Sequence, residues 1–255
     1  MLPMPRALLL DFGGVLADAP PGFTIPPELV RRLVELAGGA RSAEEVTRDL
    51  SAASRAYARW RDDVGNRERS MELPHARVWA EFLTPDWPAP AREAVEREAT
   101  PLAYLWTRRP EWAVRPGIPE VLAAAARAGL PMAIVSNTLC GAAHRDFLRG
   151  VGLDGRFAAQ FYSDEAGPRK PNPELARLAA RAVAVPVGDC WFVGDSVHRD
   201  IVCARRAGVG AAVLMRSPRT DGEPPLPGFA PDAVVDDGHG LLALLRDAEA
   251  VAPAG

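Results

Sequence analysis

Lysine is almost missing from this chain: of its 30 Lys and Arg residues, Lys170 is the single lysine. Cysteine is scarce as well. Cys140, Cys190 and Cys203 are odd in number and too far apart for metal-ligand or disulfide spacing, so they read as small buried apolar side chains. No apolar run approaches the roughly 20 residues that span a bilayer. The opening residues lack the charged, then apolar, then cleavable order of a secretory signal, and the expected location is the cytoplasm. A net charge of −3 gives no basic footprint for nucleic acid or for an anionic membrane surface. What remains is a globular profile, 255 residues with 48% hydrophobic and 25% charged, enough for one large domain or two smaller ones. Where arginine serves nearly everywhere, a lone lysine can mark a place that needs a compact ammonium, with chance as the competing reading.

The first informative stretch is Leu8-Leu9-Leu10-Asp11-Phe12-Gly13-Gly14. An unbroken apolar run closed by one carboxylate and two glycines predicts a buried strand opening into a tight turn. Strands of a parallel sheet, buried on both faces, look like this, and ligands of open α/β sheets sit past the carboxyl ends of strands. Asp11 capping its own turn is the alternative. Ala19 to Ile25 is rich in proline and glycine, a linker by composition. From Pro26 to about Arg109 the periodicity is helical, and no strand is predicted. Helices are expected over Glu28–Leu36 (stopped by Gly38-Gly39), from Ser42 to about Trp60, over Ala76–Leu83 and over Arg92–Trp106. Ser42 and Glu45 have the spacing of a capping box.

Beyond Val114 helices and strands alternate. Strands are predicted at Pro131–Val135, Phe157–Tyr162, Cys190–Val193, Gly210–Met215 and Ala233–Val235. Helices are predicted over Ile118–Ala128, Ala142–Gly150, Glu174–Ala184, Arg199–Ala207 and Leu241–Ala250, with a surface loop over Ser217–Pro231 and fraying final residues. The expected fold is α/β, a Rossmann-like doubly wound parallel sheet with an inserted all-helical cap. The core is assigned to residues 1–18 and 110–255, and the cap to 19–109.

Four motifs sit at predicted strand ends or helix starts: Asp11-Phe12-Gly13-Gly14-Val15-Leu16, Ser136-Asn137-Thr138, Arg169-Lys170-Pro171-Asn172-Pro173 and Gly194-Asp195-Ser196-Val197-His198-Arg199-Asp200. In this order the chain resembles the haloacid dehalogenase superfamily, whose members attack with an aspartate and are mostly magnesium-dependent phosphatases with a helical cap between the first two motifs. The resemblance implies Asp11 as nucleophile, and Asp11, Asp195 and the Gly13 carbonyl as ligands of Mg²⁺. It places the Ser136 hydroxyl, the Asn137 N–H and Lys170 on the phosphoryl oxygens, and makes Asp200 an orienting group for Lys170 or the metal waters. The chemistry is coherent without the name, because attack on a phosphate dianion needs charge cancellation and positioning above all. The expected partner is a small phosphorylated metabolite; nothing in the chain sets its oligomeric state, and a homodimer stays open.

One departure matters. Most phosphatases of this family carry a second aspartate two residues after the nucleophile as general acid and base, and here that residue is Gly13. Such help is typically worth about 10²–10⁴-fold. Three outcomes follow: a leaving group that needs little protonation, a substitute such as Asp18, His75 or Glu72, or slow turnover. The dehalogenase branch also lacks this aspartate, but it needs no metal and lacks the acid at Asp195. A catalytically weak binding or regulatory protein is a third reading, supported by Gly13 alone. His198 and His144 stay outside the site, and Trp60, Trp79 and Trp106 are packing residues or pocket walls.

Overall fold

The computed structural model describes residues 2–19, 24–65 and 67–251. Residues 20–23 of the expected linker and the closing residues 252–255, expected to fray, lie outside the described residues. Strand β1 (Ala7–Leu10) is buried throughout because both of its faces are covered. Leu8 and Leu10 enter one apolar cluster, while Ala7 and Leu9 enter another on the opposite face. After β1 the chain forms a short strand β2 (Ala17–Asp18), which pairs antiparallel with β3 (Ala113–Val114). Two-residue strands carry no periodicity, which is why the sequence does not announce this ribbon.

The helices before β3 are α1 (Pro27–Ala37), α2 (Ala43–Gly65), α3 (His75–Val78) continued by a π turn at Trp79–Leu83, α4 (Ala89–Arg97) and α5 (Ala99–Thr107). Ser42 and Glu45 do form the capping box: the Ser42 N–H donates to Glu45 Oε2 at 2.7 Å, and the Glu45 N–H to Ser42 Oγ at 3.2 Å. The single helix expected over Arg92–Trp106 is in fact two, broken at Glu98. Pro90 and Pro101 each lie in a first helical turn, where a missing N–H costs no hydrogen bond. These helices share an apolar cluster of their own, joined by Leu139 and Cys140 from beyond β4 (Met132–Ser136).

The expected doubly wound sheet is present. Six parallel strands run in the order β5 (Ala159–Tyr162), β4, β1, β6 (Cys190–Gly194), β7 (Ala211–Met215), β8 (Ala233–Val235). Helices α6 (Ile118–Arg127), α7 (Gly141–Gly150) and α12 (Gly238–Val251) contribute to the cluster on one face. Helices α9 (Glu174–Ala182) and α10 (Val202–Ala207) cover the other, and short helices α8 (Ser163–Ala166) and α11 (Pro218–Gly222) punctuate the connections. Strand progression reverses at β1, so a crevice opens at the carboxyl ends of β1 and β6, where such folds bind ligands. Among the described residues no helix is long and apolar enough to cross a membrane.

Candidate active site

Asp11 follows β1 directly, and its N–H still donates to Val193 O of β6 at 2.9 Å. Asp11 Oδ1 accepts from the Phe12 N–H at 2.7 Å and from Lys170 Nζ at 2.9 Å. Oδ2 has no hydrogen-bond partner among the described residues and is the atom left for a ligand. Lys170 is 1% exposed, and its ammonium meets three acceptors: Asp11 Oδ1, Asp200 Oδ1 at 2.7 Å and Val135 O at 2.8 Å. Three N–H groups at one point match that arrangement, whereas a planar guanidinium fork does not. Burial opposes its charge, but Asp11 and Asp200 outweigh burial and hold its pKa above the ordinary lysine value. The Asn137 side chain clamps this residue from behind, accepting the Lys170 N–H at 2.8 Å and donating to Lys170 O at 2.9 Å.

Asp200 Oδ2 accepts the N–H groups of Asp195 and Ser196, both at 3.0 Å. A Cβ on Gly194 would collide with the Asp200 carboxylate, so that glycine is required by close approach. Burial raises the pKa of Asp200, yet Lys170 and Arg199 prevail and leave it below the usual carboxylate range. Asp195 differs: burial, chiefly, pushes it up to about 6. Gly14, at φ +78°, passes so near that any Cβ would overlap the Asp195 carboxylate. Ligand atoms of Asp11, Asp195 and Asp200 lie within 4.8 Å of one another. An all-oxygen, acidic, buried donor set fits a hard divalent cation such as Mg²⁺, and positive charge there would offset the burial of Asp195.

Sequence reasoning missed the rest of the Asp195 surroundings. The stretch read as a surface loop over Ser217–Pro231 opens with α11, capped by Ser217. Ser217 Oγ donates to Asp195 Oδ2 at 2.8 Å, Arg219 Nη1 to Asp195 Oδ1 at 3.2 Å, and Thr220 Oγ1 to Asp195 O at 2.5 Å. The start of α11, though not its contacts with Asp195, was signalled by Ser217-Pro218-Arg219-Thr220, a cap residue followed by proline at the first helical position.

A cavity of about 130 Å³ stands over Asp11, bordered by Gly13, Ser136, Asn137, Lys170 and Asp200. The Ser136 hydroxyl, at the buried end of β4, has no hydrogen-bond partner among the described residues. His144, left outside the site by sequence reasoning, lines this cavity and stacks on Phe12 with centroids 3.9 Å apart and planes at 3°. Burial first, then Arg145 and Lys170, push its imidazole down to about 3, so at neutral pH it is uncharged and has no imidazolium proton to hand to a leaving group.

This group makes a stability prediction. Between pH values of about 6.5 and 3 the folded protein binds fewer protons at His144 than the unfolded chain does. Its stabilising contribution is therefore complete above about pH 6.5 and lost as the pH falls toward 3, with a ceiling of about 5 kcal/mol at 1.36 kcal/mol per unit. His144→Phe keeps the ring stack and is expected to flatten that acid limb, measured by urea unfolding at several pH values between about 7 and 4.

The three proposed substitutes for an acid at Gly13 are committed elsewhere. Glu72 is buried, pairs with Arg169, and accepts from Ser163 Oγ at 2.7 Å and Tyr57 Oη at 3.1 Å. His75 is held between Thr100 Oγ1 at 2.9 Å and Leu139 O at 2.6 Å. Asp18 lies 3.3 Å from Arg115 Nε. None of the three borders the cavity. Trp79 and Trp106 are buried against each other in the helical cluster, and Trp60 stacks on Tyr57; the indole that lines the cavity is Trp112.

Comparison with known proteins agrees with this geometry. A family model described as haloacid dehalogenase-like hydrolase matches residues 5–208. The chain is 33% identical over 178 residues to phosphoserine phosphatase of Thermus thermophilus, covering 63% of this chain and 70% of that protein. It is 28% identical over 206 residues to glyceraldehyde 3-phosphate phosphatase of Methanopyrus kandleri, covering 81% of each. Among solved structures, CbbY from Rhodobacter sphaeroides in complex with phosphate superposes with a TM-score of 0.59 at 24% identity, over 95% of this chain and 100% of that one. The 2-haloacid dehalogenase from Pseudomonas syringae pv. Tomato DC3000 gives 0.64 at 18%, over 97% and 99%. At these identities the structural likeness shows the fold alone. A family model spanning most of the chain, on a sheet whose strand ends bring Asp11, Lys170, Asp195 and Asp200 together, places this protein among the haloacid dehalogenase-like hydrolases.

Proposed function

We propose that the protein is a cation-dependent phosphatase for a small phosphorylated metabolite, working through an aspartyl-phosphate on Asp11. The observation that carries this reading is the position of Lys170. Its ammonium ties down Asp11 Oδ1 and Asp200 while Asp11 Oδ2 stays without a partner at the cavity. The phosphatase names of the relatives in Thermus and Methanopyrus support it, as does the acidic cluster beside the nucleophile. That cluster also favours phosphoryl transfer over carbon–halogen displacement, which needs no cation.

Mg²⁺ held by Asp11, Asp195 and the Gly13 carbonyl would supply charge that offsets the phosphoryl oxygens. Asp11 Oδ2 attacks phosphorus as the bond to the ester oxygen breaks. Ser136 Oγ and the Asn137 N–H bind the transferring oxygens, the Lys170 ammonium supplies positive charge beside them, and Asp200 keeps that ammonium in place. Water then attacks phosphorus, the Asp11–phosphorus bond breaks, and inorganic phosphate leaves with the carboxylate regenerated. With glycine at position 13 and the alternative acids engaged elsewhere, no side chain hands a proton to the departing oxygen. Acyl and anomeric phosphates, whose oxygens leave without that help, are the expected best substrates.

A panel of alkyl, acyl and anomeric phosphates assayed with Mg²⁺ and with EDTA tests the reading. Phosphate release is expected to fall at least about 100-fold in EDTA, to return on adding Mg²⁺, and to be fastest on the acyl or anomeric esters. Release indifferent to EDTA contradicts it.

A further inference from the structure

Two guanidinium groups beside the site are left out of the ion pairs there. Lys170 lies between Asp11 and Asp200, Arg169 is paired with Glu72, and Arg219 with Asp195. Arg61, in the closing turns of α2, and Arg199, between Asp195 and α10, form no ion pair with any described residue. Arg61 lies over the Tyr57 ring, 5.1 Å from its centroid, and Arg199 Nε donates to Ser196 Oγ at 3.3 Å. Desolvation first holds both below the ordinary arginine pKa; Arg169 and Arg199 add to it at Arg61 against Tyr57 and Glu72, and Arg219 adds to it at Arg199 against the charges of Asp200, Asp195 and Asp11. Arg61 is exposed and Arg199 half-buried, and two unpaired, mutually repelling guanidinium groups facing the same space suit an anion.

Both side chains line the cavity over Asp11, and both also line an adjoining chamber of about 510 Å³ that neither Asp11, Ser136 nor Lys170 borders. They therefore stand between the reacting centre and a second space. The two carboxylates of that chamber do not neutralise them. Glu223 accepts from Ser196 Oγ at 2.6 Å and from the Val197 N–H at 2.7 Å, and Asp62 is exposed. Guanidinium forks suit planar bidentate contacts to carboxylate or phosphate.

We propose that Arg61 and Arg199 hold a second anionic group of the substrate, so that the enzyme acts on small phosphate esters whose leaving part itself carries a carboxylate or another phosphate. This rests on the phosphatase reading above. Arg61 comes from the helical segment and Arg199 from the sheet domain's fourth motif, so one such substrate would tie both to the same site.

The test compares three-carbon esters: glycerol 1-phosphate, 3-phosphoglycerate and propane-1,3-diol bisphosphate. Wild type is expected to favour one or both of the doubly anionic esters over glycerol 1-phosphate by at least about 30-fold in kcat/KM, and which one it favours separates carboxylate from phosphate. Arg61→Met is expected to shrink that preference about 10- to 100-fold, mainly through KM, while Arg61→Lys retains part of it. Calorimetric binding of the same three esters to Asp11→Asn reads the preference without turnover. No release of phosphate by wild type from these alkyl esters or from an acyl or anomeric phosphate, with selective binding to Asp11→Asn intact, overturns the phosphatase reading and leaves this inference standing. Equal losses on all three esters in Arg61→Met, or equal binding of all three, overturns the second-anion site.

Discussion

Asp11→Asn is expected to lower kcat by at least about 10⁴-fold, since an amide has neither the charge nor the lone-pair reactivity to attack phosphorus. The loss should come without a loss of fold. Asp11 is buried, and burial chiefly, with the nearby Asp200 charge, pushes its pKa upward, so a neutral amide of the same shape removes a desolvated charge. Lys170 keeps Asp200 and Val135 O as partners at 2.7 and 2.8 Å. Melting of the variant should therefore stay within a few degrees of wild type, equivalent to about 1 kcal/mol either way. Phosphate-release assays beside thermal melts measure both. Activity within tenfold of wild type would move the nucleophile elsewhere.

Gly13→Asp is expected to act in the opposite direction, raising kcat on alkyl phosphates by about 10²–10⁴-fold by restoring a proton donor to the leaving oxygen. The backbone accepts the change. Gly13 is absent from the positive-φ glycines, and a Cβ there meets nothing within 4 Å. Gly14 is the contrast, left-handed at φ +78° and pressed against Asp195. Glycine at position 13 is thus a chemical choice and glycine at position 14 a steric one. On acyl or anomeric phosphates the gain should be small, because those oxygens leave without protonation. Initial rates on both ester types measure it. A variant that folds, binds phosphate and gains nothing on alkyl esters would mean that a proton already reaches the leaving oxygen by another route.

How much of this was legible in the sequence differs from residue to residue. The run ending at Asp11 announced both a two-sided strand and a carboxylate at its tip, because burial on both faces removes polar alternation. Lys170 stood out by rarity and by its place in the third motif, and its three acceptors give the reason for an ammonium there. The Ser217–Arg219–Thr220 contacts with Asp195 were not legible, since they bridge from the end of β7 to the end of β6 and no local period reports such a meeting. His144 was hidden for a related reason: a histidine on an amphipathic helix reads the same whether it faces solvent or stacks on Phe12. Glu72 looked like an available acid because its pairing with Arg169 spans nearly a hundred positions. Arg61 and Arg199 were indistinguishable among the arginines of the chain until the fold showed that neither forms an ion pair with a described residue.

The central claim is covalent: phosphoryl transfer passes through Asp11. Acid-quenched wild type, incubated with a radiolabelled phosphate ester, should carry label that hydroxylamine releases, as an acyl phosphate does, on the peptide containing Asp11. Because Gly13 leaves hydrolysis of that intermediate unaided, label should accumulate in wild type, fall in Gly13→Asp and be absent from Asp11→Asn. Wild type that turns over while Asp11 never carries label would contradict the account.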